Sequence, residues 1–584
     1  MELKDCLKTY TKDQDKAVSP SETVSRAKAE MRSQGRNILA ETRRVDTGRL
    51  GIPVFMCVCG EEAREIMPGR KQMGKGATVE QAEASALMEL VERYSFFSFW
   101  NNEANFIRAS WSEAEALFPG GLMPVAEVIR SVGEEISEKD AVRILDLVRW
   151  RFTPVANITT GAEVHVPLDW FKKLNEFNGS SAGNTPEESI LQGACELVER
   201  HVCAIITGDE PALPSIDPES INDPVLADLL ECYAKNNIQV WLKDFTLDMP
   251  VPTVGVLAVD PASFPERSEI VFTAGTATSP AKAAIRALTE VAQLAGDFET
   301  GANFEASGLP KYAALDDFEW IKKGEAVALD SLPDIRRQNF LEEISLLCEG
   351  LSEKGFPLYS ADITHPELGL AAHYNFVPGF KFHEQAQALV HGAFAEFESG
   401  HEIVVGRILA EESPVPQAEV GLGVLFEIYG DAPFVPFFQG LLALREQKIS
   451  EAAKCFEKSE ALQPDDDDRA LAAFYQAYAL TQEEDWAGAV APLDRAVRLS
   501  PKVKEYFNLR GVALFKAKKY EQAARDFKAA VDLDSGSAMD LANLGLCYKF
   551  MGETTKAVHC LGTALTLDPT LEFAKKHLDN ILTP

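Results

Sequence analysis

The stretch Gly76-Ala-Thr-Val-Glu-Gln-Ala-Glu-Ala-Ser-Ala-Leu-Met-Glu-Leu-Val-Glu-Arg93 decides the fold, because it occurs three times in the chain. The second copy runs from 183 to 200, with every matched position 183 − 76 = 107 residues further on and no gap. A third, weaker copy runs from 279 to 293, where Glu290 lies 290 − 89 = 201 residues after Glu89. Such repetition indicates three copies of one structural unit.

Each copy opens with residues that begin helices. Thr78, Thr185 and Ser279 are types that favour the N-cap position. Pro186 and Pro280 stand where the first helical residue is expected, a position that tolerates proline because it needs no N–H donor. The sequence therefore predicts three helices.

The three helices are predicted to present the same polar face. Its members are Ser85, Glu89 and Glu92; Gln192, Glu196 and Glu199; and Arg286, Glu290 and Gln293. Spacings of four and three residues place side chains on one side of a helix, where like charges repel by a few tenths of a kcal/mol. Five carboxylates suit Mg²⁺, which usually arrives with nucleotide phosphates. The alternative is three solvated amphipathic helices with Glu–Arg surface pairs, and the threefold repetition disfavours it.

A glycine-rich segment precedes the first copy. Gly69 to Gly76 imitates the phosphate-binding pattern GxxxxGK, but Gly76 stands where a Ser or Thr should bind Mg²⁺. We therefore reject a P-loop fold. We expect instead a glycine-rich turn that presents backbone N–H groups to an anion at the start of the first repeated helix, with Lys75 assisting.

Taken in order, these motifs resemble the YcaO family of ATP-dependent enzymes that activate peptide backbone amides. The resemblance rests on Gly74-Lys-Gly-Ala-Thr78 before the first carboxylate face, Ser181-Ala-Gly-Asn-Thr185 before the second, and Arg286-x-x-x-Glu290-x-x-Gln293 in the third. It covers roughly the first two thirds of the chain, from near Lys16 to Val377-Pro-Gly379.

The resemblance implies a set of site residues and two cofactors, ATP and Mg²⁺. Glu89, Glu92, Glu196, Glu199 and Glu290 would be metal ligands, and Glu89, Glu196 and Glu290 would be the catalytic ones. The nucleotide contacts would include Lys16, Lys75, Ser85, Glu92, Arg93, Glu199, Arg200, Arg286 and Gln293. Which glutamate binds which ion stays open.

The implied reaction is O-phosphorylation of a peptide or protein backbone amide, leading to a thioamide or an azoline. Azoline-forming relatives often end in a Pro-rich tail, whereas this chain ends Ile581-Leu-Thr-Pro584, which shifts the expectation toward thioamidation. Two alternatives are an accessory factor for methylthiolation of a ribosomal protein and a nucleotide-binding scaffold without turnover.

A second repeat occupies the last third of the chain. Gly440, Ala477, Gly511 and Gly545 lie 37, 34 and 34 residues apart, and Ala452, Ala489, Ala523 and Ala557 keep the same intervals. This pattern resembles the tetratricopeptide repeat, whose stacked helices bind peptides. We expect an α/β (α+β) domain of YcaO type with internally repeated helices over 1–400, a linker over 401–430, and an all-α tetratricopeptide-repeat solenoid over 431–584.

Composition restricts the partners. A formal net charge of −33 argues against nucleic acid and against an anionic membrane as main partners. No N-terminal apolar region or membrane-spanning run is evident, so we expect a cytoplasmic protein. The repeats would recruit a peptide or protein substrate, a sulfur-delivering partner or a modifying enzyme, and a homodimer is compatible with the sequence.

Overall fold

The computed structural model describes residues 1–46, 48–133, 136–209, 211–264, 270–295, 319–382, 401–430, 432–534, 537–568 and 571–582. It divides into two compact units. The first unit comprises Met1–Gly133 and Arg149–Gln385, and the second comprises Glu134–Val148 and Ala386–Pro584.

The strands of the described residues all belong to the first unit. In chain order they are β1 (Leu39–Arg44), β2 (Val54–Cys59), β3 (Lys71–Lys75), β4 (Ile107–Ala109), β5 (Trp150–Asn157), β6 (Glu163–Pro167), β7 (Ser180–Gly183), β8 (Ser215–Ile216), β9 (Gln239–Asp244), β10 (Thr253–Val259), β11 (Val271–Thr276), β12 (Ala326–Val327), β13 (Tyr359–Asp362) and β14 (Ala371–Phe376). They form three sheets, with orders β1-β2-β3, β11-β10-β9-β8-β12 and β4-β5-β13-β14-β7, and β6 pairs with β5. Among the described strands, β8 and β12 pair in parallel and the other pairs are antiparallel.

The helices of both units are numbered along the chain. They are α1 (Pro20–Glu30), α2 (Glu61–Ile66), α3 (Val79–Asn101), α4 (Trp111–Leu117), α5 (Val125–Arg130), α6 (Glu138–Leu145), α7 (Leu168–Asn175), α8 (Pro186–Asp209), α9 (Pro224–Lys235), α10 (Pro280–Ala295), α11 (Glu319–Lys322), α12 (Phe340–Glu353), α13 (His401–Glu411), α14 (Val415–Tyr429), α15 (Phe434–Arg445), α16 (Ile449–Leu462), α17 (Asp466–Gln482), α18 (Trp486–Leu499), α19 (Lys504–Lys516), α20 (Tyr520–Leu533), α21 (Ala538–Phe550), α22 (Thr554–Leu567) and α23 (Glu572–Leu582). The mixed α/β unit followed by an all-helical repeat region confirms the predicted fold class. Among the described residues, no helix is both long and apolar enough to cross a membrane.

The three repeated stretches form three equivalent strand-and-helix units. β3 leads into α3, β7 into α8 and β11 into α10. Each helix packs its apolar residues into a different hydrophobic cluster, with Leu87, Val198 and Leu288 fully buried. Because the apolar residues are committed to the core, the polar face of each helix is left to point elsewhere.

The glycine-rich turn expected before α3 is wrong, because residues 71–75 form the strand β3 instead. Gly74 packs so closely on α3 that an added Cβ would lie 2.0 Å from the backbone nitrogen of Ala86. This glycine therefore serves the contact between strand and helix, a role that a pattern of glycines alone does not distinguish from phosphate binding.

The second unit contains the helical repeats. The repeated alanines Ala452, Ala489, Ala523 and Ala557 are fully buried. At Gly440 an added Cβ would lie 2.7 Å from the ring of Phe456. Small residues thus let paired helices approach closely, as the repeat spacing predicted.

The region predicted as a linker, residues 401–430, contains the helices α13 and α14. They pack with α6, a short helix from the middle of the first two hundred residues. Arg143 on α6 pairs with Glu427 at 3.1 Å, and the Gln417 side-chain amide donates to the carbonyl of Leu147 at 3.0 Å. The second unit therefore includes residues 134–148, which lie within the range 1–400 predicted for the first domain. The predicted domain boundaries stay a prediction.

Candidate functional site

One cavity of about 400 Å³ lies among α3, α8 and α10. Every residue of the three repeated polar faces lines it, namely Ser85, Glu89, Glu92, Gln192, Glu196, Glu199, Arg286, Glu290 and Gln293. Three faces that are 192 − 85 = 107 and 286 − 192 = 94 residues apart in sequence therefore converge on one space. Solvated surface helices would not do this.

The remaining predicted contacts also line the cavity: Lys16, Lys75, Arg93 and Arg200. The structure thus brings together every residue that the sequence analysis placed in the site. Their assignment to nucleotide or to Mg²⁺ stays a prediction, because the convergence shows position and not role.

Local capping fixes how α3 and α8 enter the site. The Thr78 hydroxyl accepts a hydrogen bond from the backbone N–H of Gln81, and the Thr185 hydroxyl accepts one from Glu188, both at 3.2 Å. Pro186 and Pro280 are the first residues of α8 and α10, as predicted. Because each cap sets the first turn, the face that reaches the cavity is fixed from the helix start.

The cavity carries both signs of charge. Its carboxylates are Glu89, Glu92, Glu188, Glu196, Glu199 and Glu290, and its cations are Lys16, Lys75, Arg93, Arg200 and Arg286. Guanidinium and ammonium groups bind phosphate oxygens, and carboxylates bind hard divalent cations. The two sets together suit an anion that carries its own metal ions.

Burial makes two of these carboxyls costly to ionise. Desolvation raises the pKa of Glu92; with the opposing charge of Arg93 and the nearby carboxylates of Glu196 and Glu89 included, this pKa is about 8. Desolvation likewise raises the pKa of Glu196, aided by Glu199 and opposed by Arg200. A divalent cation in the cavity would favour the ionised form of both groups.

Lys75, predicted to contact an anion, pairs with a carboxylate of the protein in this structure. Its ammonium forms an ion pair with Glu290, one of the predicted metal ligands. Desolvation, with a contribution from the charge of Arg286, lowers the pKa of Lys75 to about 8. In this arrangement Glu290 is neutralised by the protein itself.

The donor set of the cavity fits Mg²⁺ and a nucleotide, although its carboxylates are not gathered into a ready metal cluster. Within the described ranges, no three His, Cys, Asp or Glu side chains converge closely enough to hold an ion. Glu199 accepts a hydrogen bond from the backbone N–H of Thr276 at 2.8 Å, and Arg286 donates to Gln192 at 2.8 Å. The amide oxygen of Gln293 is buried and accepts no hydrogen bond from any described residue, so a polar ligand would satisfy it.

Sequence reasoning missed one further turn of each repeated face. Gln81, Glu188 and Lys282 occupy equivalent positions, since 188 − 81 = 107 and 282 − 81 = 201, and all three are buried. Gln81 and Glu188 line the main cavity, and Lys282 lines a smaller neighbouring one of about 40 Å³. The repeat register was the signal that could have found them, had it been extended four residues toward each helix start.

His201 lies outside the site, although it follows Arg200 directly. Its ring stacks on Phe380 with centroids 4.3 Å apart, and its Nδ1 accepts a hydrogen bond from the backbone N–H of Lys381 at 2.9 Å. Burial, with the charge of Lys381, lowers the pKa of His201 to about 4. This histidine is part of the packing.

Comparisons with known proteins agree with the two units. A family model described as YcaO cyclodehydratase, ATP- and Mg²⁺-binding, matches residues 73–381, and tetratricopeptide-repeat models match 439–504, 493–538 and 541–571. An uncharacterized protein of Methanothermobacter thermautotrophicus is 27% identical over 387 residues, which are 62% of this chain and 94% of that protein.

Two further comparisons cover less of the similar protein. The ribosomal protein S12 methylthiotransferase accessory factor YcaO of Escherichia coli strain K12 is 27% identical over 211 residues, or 32% of this chain and 36% of that protein. Among solved structures, a heterocyclase in complex with substrate and cofactor has a TM-score of 0.51 at 21% identity, covering 66% of this chain and 56% of that chain. At this identity, the structural likeness shows the fold.

Proposed function

This chain belongs to the YcaO family, described as binding ATP and Mg²⁺, and from that premise we propose that it activates a backbone amide of a peptide or protein. The convergence of three repeated polar faces on one cavity carries the proposal. A cavity of about 400 Å³ is within the range of small-molecule and cofactor sites. It is lined by cations for the phosphates and by carboxylates for the metal ions.

The chain's own residues would bind and orient the reactants. Glu89, Glu92, Glu196, Glu199 and Glu290 would hold Mg²⁺, and the arginines would contact phosphate oxygens. When bound, Mg-ATP would supply the phosphoryl group that converts the amide oxygen into a leaving group. Phosphoryl transfer requires mainly positioning and neutralisation of charge, which a rigid cavity on three helices provides.

The ion pair between Lys75 and Glu290 gives a testable feature of this proposal. The ammonium of Lys75 would compete with a metal ion for the carboxylate of Glu290. Binding of Mg-ATP would therefore require the pair to separate, and the released ammonium would lie close to the phosphates. A Lys75→Met variant would lose the phosphate contact and free Glu290 at the same time.

The repeats would bring the peptide or its modifying partner to the first unit. Tetratricopeptide repeats bind extended or helical peptides on their concave surface, and the buried glycines and alanines keep the paired helices close enough to form such a surface. A thioamide and an azoline are the two candidate products of the proposed reaction.

Two other functions stay in view. The similar Escherichia coli protein is named as an accessory factor for methylthiolation of a ribosomal protein, which favours a role beside a second enzyme. A scaffold that holds nucleotide without turnover is the third. The scaffold is the less economical explanation, because it does not require buried carboxylates whose ionisation opposes folding.

Binding and turnover of ATP separate these functions. We would measure Mg²⁺-dependent ATP binding by calorimetry for the wild type, Glu89→Gln and Glu196→Gln. The control is Glu80→Gln, an exposed residue on the same helix as Glu89. Phosphate release would then be followed with sulfide and candidate peptides. We expect binding in the wild type and the control, loss in the two cavity variants, and peptide-stimulated phosphate release.

The opposite results are equally informative. Undiminished binding in both cavity variants would contradict the metal site. Binding without phosphate release under any of these conditions would favour the scaffold. Phosphate release that needs a second protein, with no modification of free peptides, would favour the accessory role.

A further inference from the structure

The N-terminal segment 7–17 crosses the edge of the cavity as a strap, and it lies outside the residues that the family model matches. The strap folds back on itself through an antiparallel bridge between Tyr10 and Lys16. A second bridge joins Leu7 to Asn339 at the start of α12, where the backbone N–H of Lys8 donates to the carbonyl of Gln338 at 3.0 Å. Pairings between segments more than 300 residues apart thus hold its base.

The turn of the strap is held by α10. The Lys282 ammonium donates to the carbonyls of Thr11 and Lys12, at 2.9 and 2.5 Å. Lys282 is the α10 member of the repeated position that also includes Gln81 and Glu188. One of the three repeated helices is therefore used to bind the strap.

A buried ion cluster joins the two arms of the strap to α12. The Lys8 ammonium donates to Asp15 at 2.6 Å and to Glu343 at 2.5 Å. Lys8 is 4% exposed and Glu343 is fully buried. The same Glu343 oxygen accepts from the Thr278 hydroxyl at 3.0 Å and from the backbone N–H of Arg337 at 2.9 Å. The other oxygens of Glu343 and Asp15 are buried and accept no hydrogen bond from any described residue. A buried ion pair of this kind fixes geometry more than it adds stability.

The residue next to this cluster reaches the cavity. Lys16 follows Asp15 directly, lines the cavity with Gln14, and has its ammonium 3.5 Å from the Glu188 carboxylate. The backbone N–H of Ala17 donates to the other oxygen of Glu188 at 2.9 Å. Lys16 is thus presented to the cavity by a strap whose position depends on Lys8 and Glu343.

We infer that Lys8, Asp15 and Glu343 are positioning residues for nucleotide binding: their buried cluster locks the strap so that Lys16 lies where the phosphates of ATP would bind. The inference rests on the proposed ATP site and adds residues to it. If the strap were loose, ordering Lys16 on ATP binding would weaken the affinity. The cluster orders Lys16 before ATP binds and so avoids this loss of affinity.

The test compares full-length variants by calorimetry with Mg-ATP and with adenosine. Lys8→Met removes the buried ammonium, and Lys12→Met, an exposed lysine of the same strap, is the matched control. We expect Lys8→Met to weaken Mg-ATP binding by about tenfold, the loss typical of one charged hydrogen bond, and to leave adenosine binding unchanged. Lys12→Met should bind both ligands as the wild type does.

A double-mutant cycle separates positioning from general stability. If Lys8 acts through Lys16, Lys8→Met should cause no further loss of Mg-ATP affinity in a Lys16→Met background. Amide hydrogen exchange of residues 7–17 should rise in Lys8→Met. Asp15→Asn, which keeps the size and one acceptor, should show the same effects more weakly and serves if Lys8→Met does not fold.

Each outcome decides. Wild-type affinity in both Lys8→Met and Asp15→Asn, additive losses with Lys16→Met, or an equal loss for adenosine would overturn the inference while leaving the ATP site intact. A wild type that binds no Mg-ATP would overturn the proposed function and the inference together.

Discussion

Replacing Glu92 by glutamine should stabilise the empty protein, although the residue is a predicted metal ligand. Desolvation raises the pKa of Glu92 from its ordinary value of 4.5 to about 8. Between these two values the folded state keeps a proton that the unfolded chain releases, so the free energy of unfolding falls as pH rises. Glutamine has the size of the protonated carboxyl and never ionises, so the variant does not carry this cost.

The magnitude follows from the shift. At pH 7 the pH lies 7 − 4.5 = 2.5 units above the ordinary pKa of 4.5. Ionisation of Glu92 therefore stabilises the unfolded chain by about 3 kcal/mol, at 1.36 kcal/mol per unit. At pH 5 the same difference is about 0.7 kcal/mol. The Glu92 side chain is only 15% exposed, so solvent screening reduces these values little.

The assay is urea unfolding at pH 5, 6, 7 and 8 with EDTA present, followed by tryptophan fluorescence. Six of the seven tryptophans lie before residue 386, so the signal reports mainly the first unit. The advantage of Glu92→Gln over the wild type should grow by 2 to 3 kcal/mol, roughly, from pH 5 to pH 7. Glu80→Gln, exposed on the same helix, should stay within about 0.5 kcal/mol of the wild type. An advantage that does not change with pH, or a destabilised variant at every pH, would refute the reasoning.

Three other predictions concern packing and buried charge. Gly440→Ala should destabilise the repeats by about 1 to 3 kcal/mol in thermal unfolding, because its Cβ would lie 2.7 Å from the ring of Phe456. A Cβ added at Gly423 would have no atom within 4 Å, so Gly423→Ala should be neutral or stabilise by up to about 1 kcal/mol. The Lys172 ammonium lies over two aromatic rings, and burial lowers its pKa to about 8. Lys172→Met should therefore raise the free energy of unfolding at pH 7 by about 1 to 2 kcal/mol. This gain should shrink from pH 8 to pH 10.5, because the folded wild type releases its proton in that range. Burial lowers the pKa of His201 to about 4. The free energy of unfolding of the wild type should therefore fall by up to about 3 kcal/mol from pH 6.5 to pH 4, because only the unfolded chain takes up a proton there. His201→Gln should remove that part of the acid sensitivity in urea unfolding, and an unchanged pH profile would contradict the prediction.

The repeated helices could be predicted because their signal is local and occurs three times. Caps, periodicity and the gap-free register of 107 residues gave the helices and the residues on each polar face. The three faces were expected to converge on one cavity because their carboxylates repel one another unless they share a cation. No distance was needed for this inference.

The strap, α6 and the helices α13 and α14 could not be predicted in this way. Lys8 and Glu343 are 335 residues apart, and neither belongs to a periodic pattern. The break at Glu411 to Pro416 predicts a linker over 401–430, yet Val404, Val405 and Ile408 are buried. Tertiary contacts decided these segments, and a single sequence carries little information on partners so far apart.

The glycines before α3 show why a pattern needs its structural context. Gly74 and Gly76 are required where β3 packs on α3, and Lys75 between them points into the cavity to meet Glu290. A lysine held between two close-packing glycines has its backbone fixed by the strand. Under the proposed function, its ammonium would therefore move between Glu290 and a phosphate without a loop rearrangement. The two glycines therefore serve packing, and the proposed function assigns phosphate binding to the Lys75 side chain alone. This differs from a P-loop, in which the backbone N–H groups hold the phosphate.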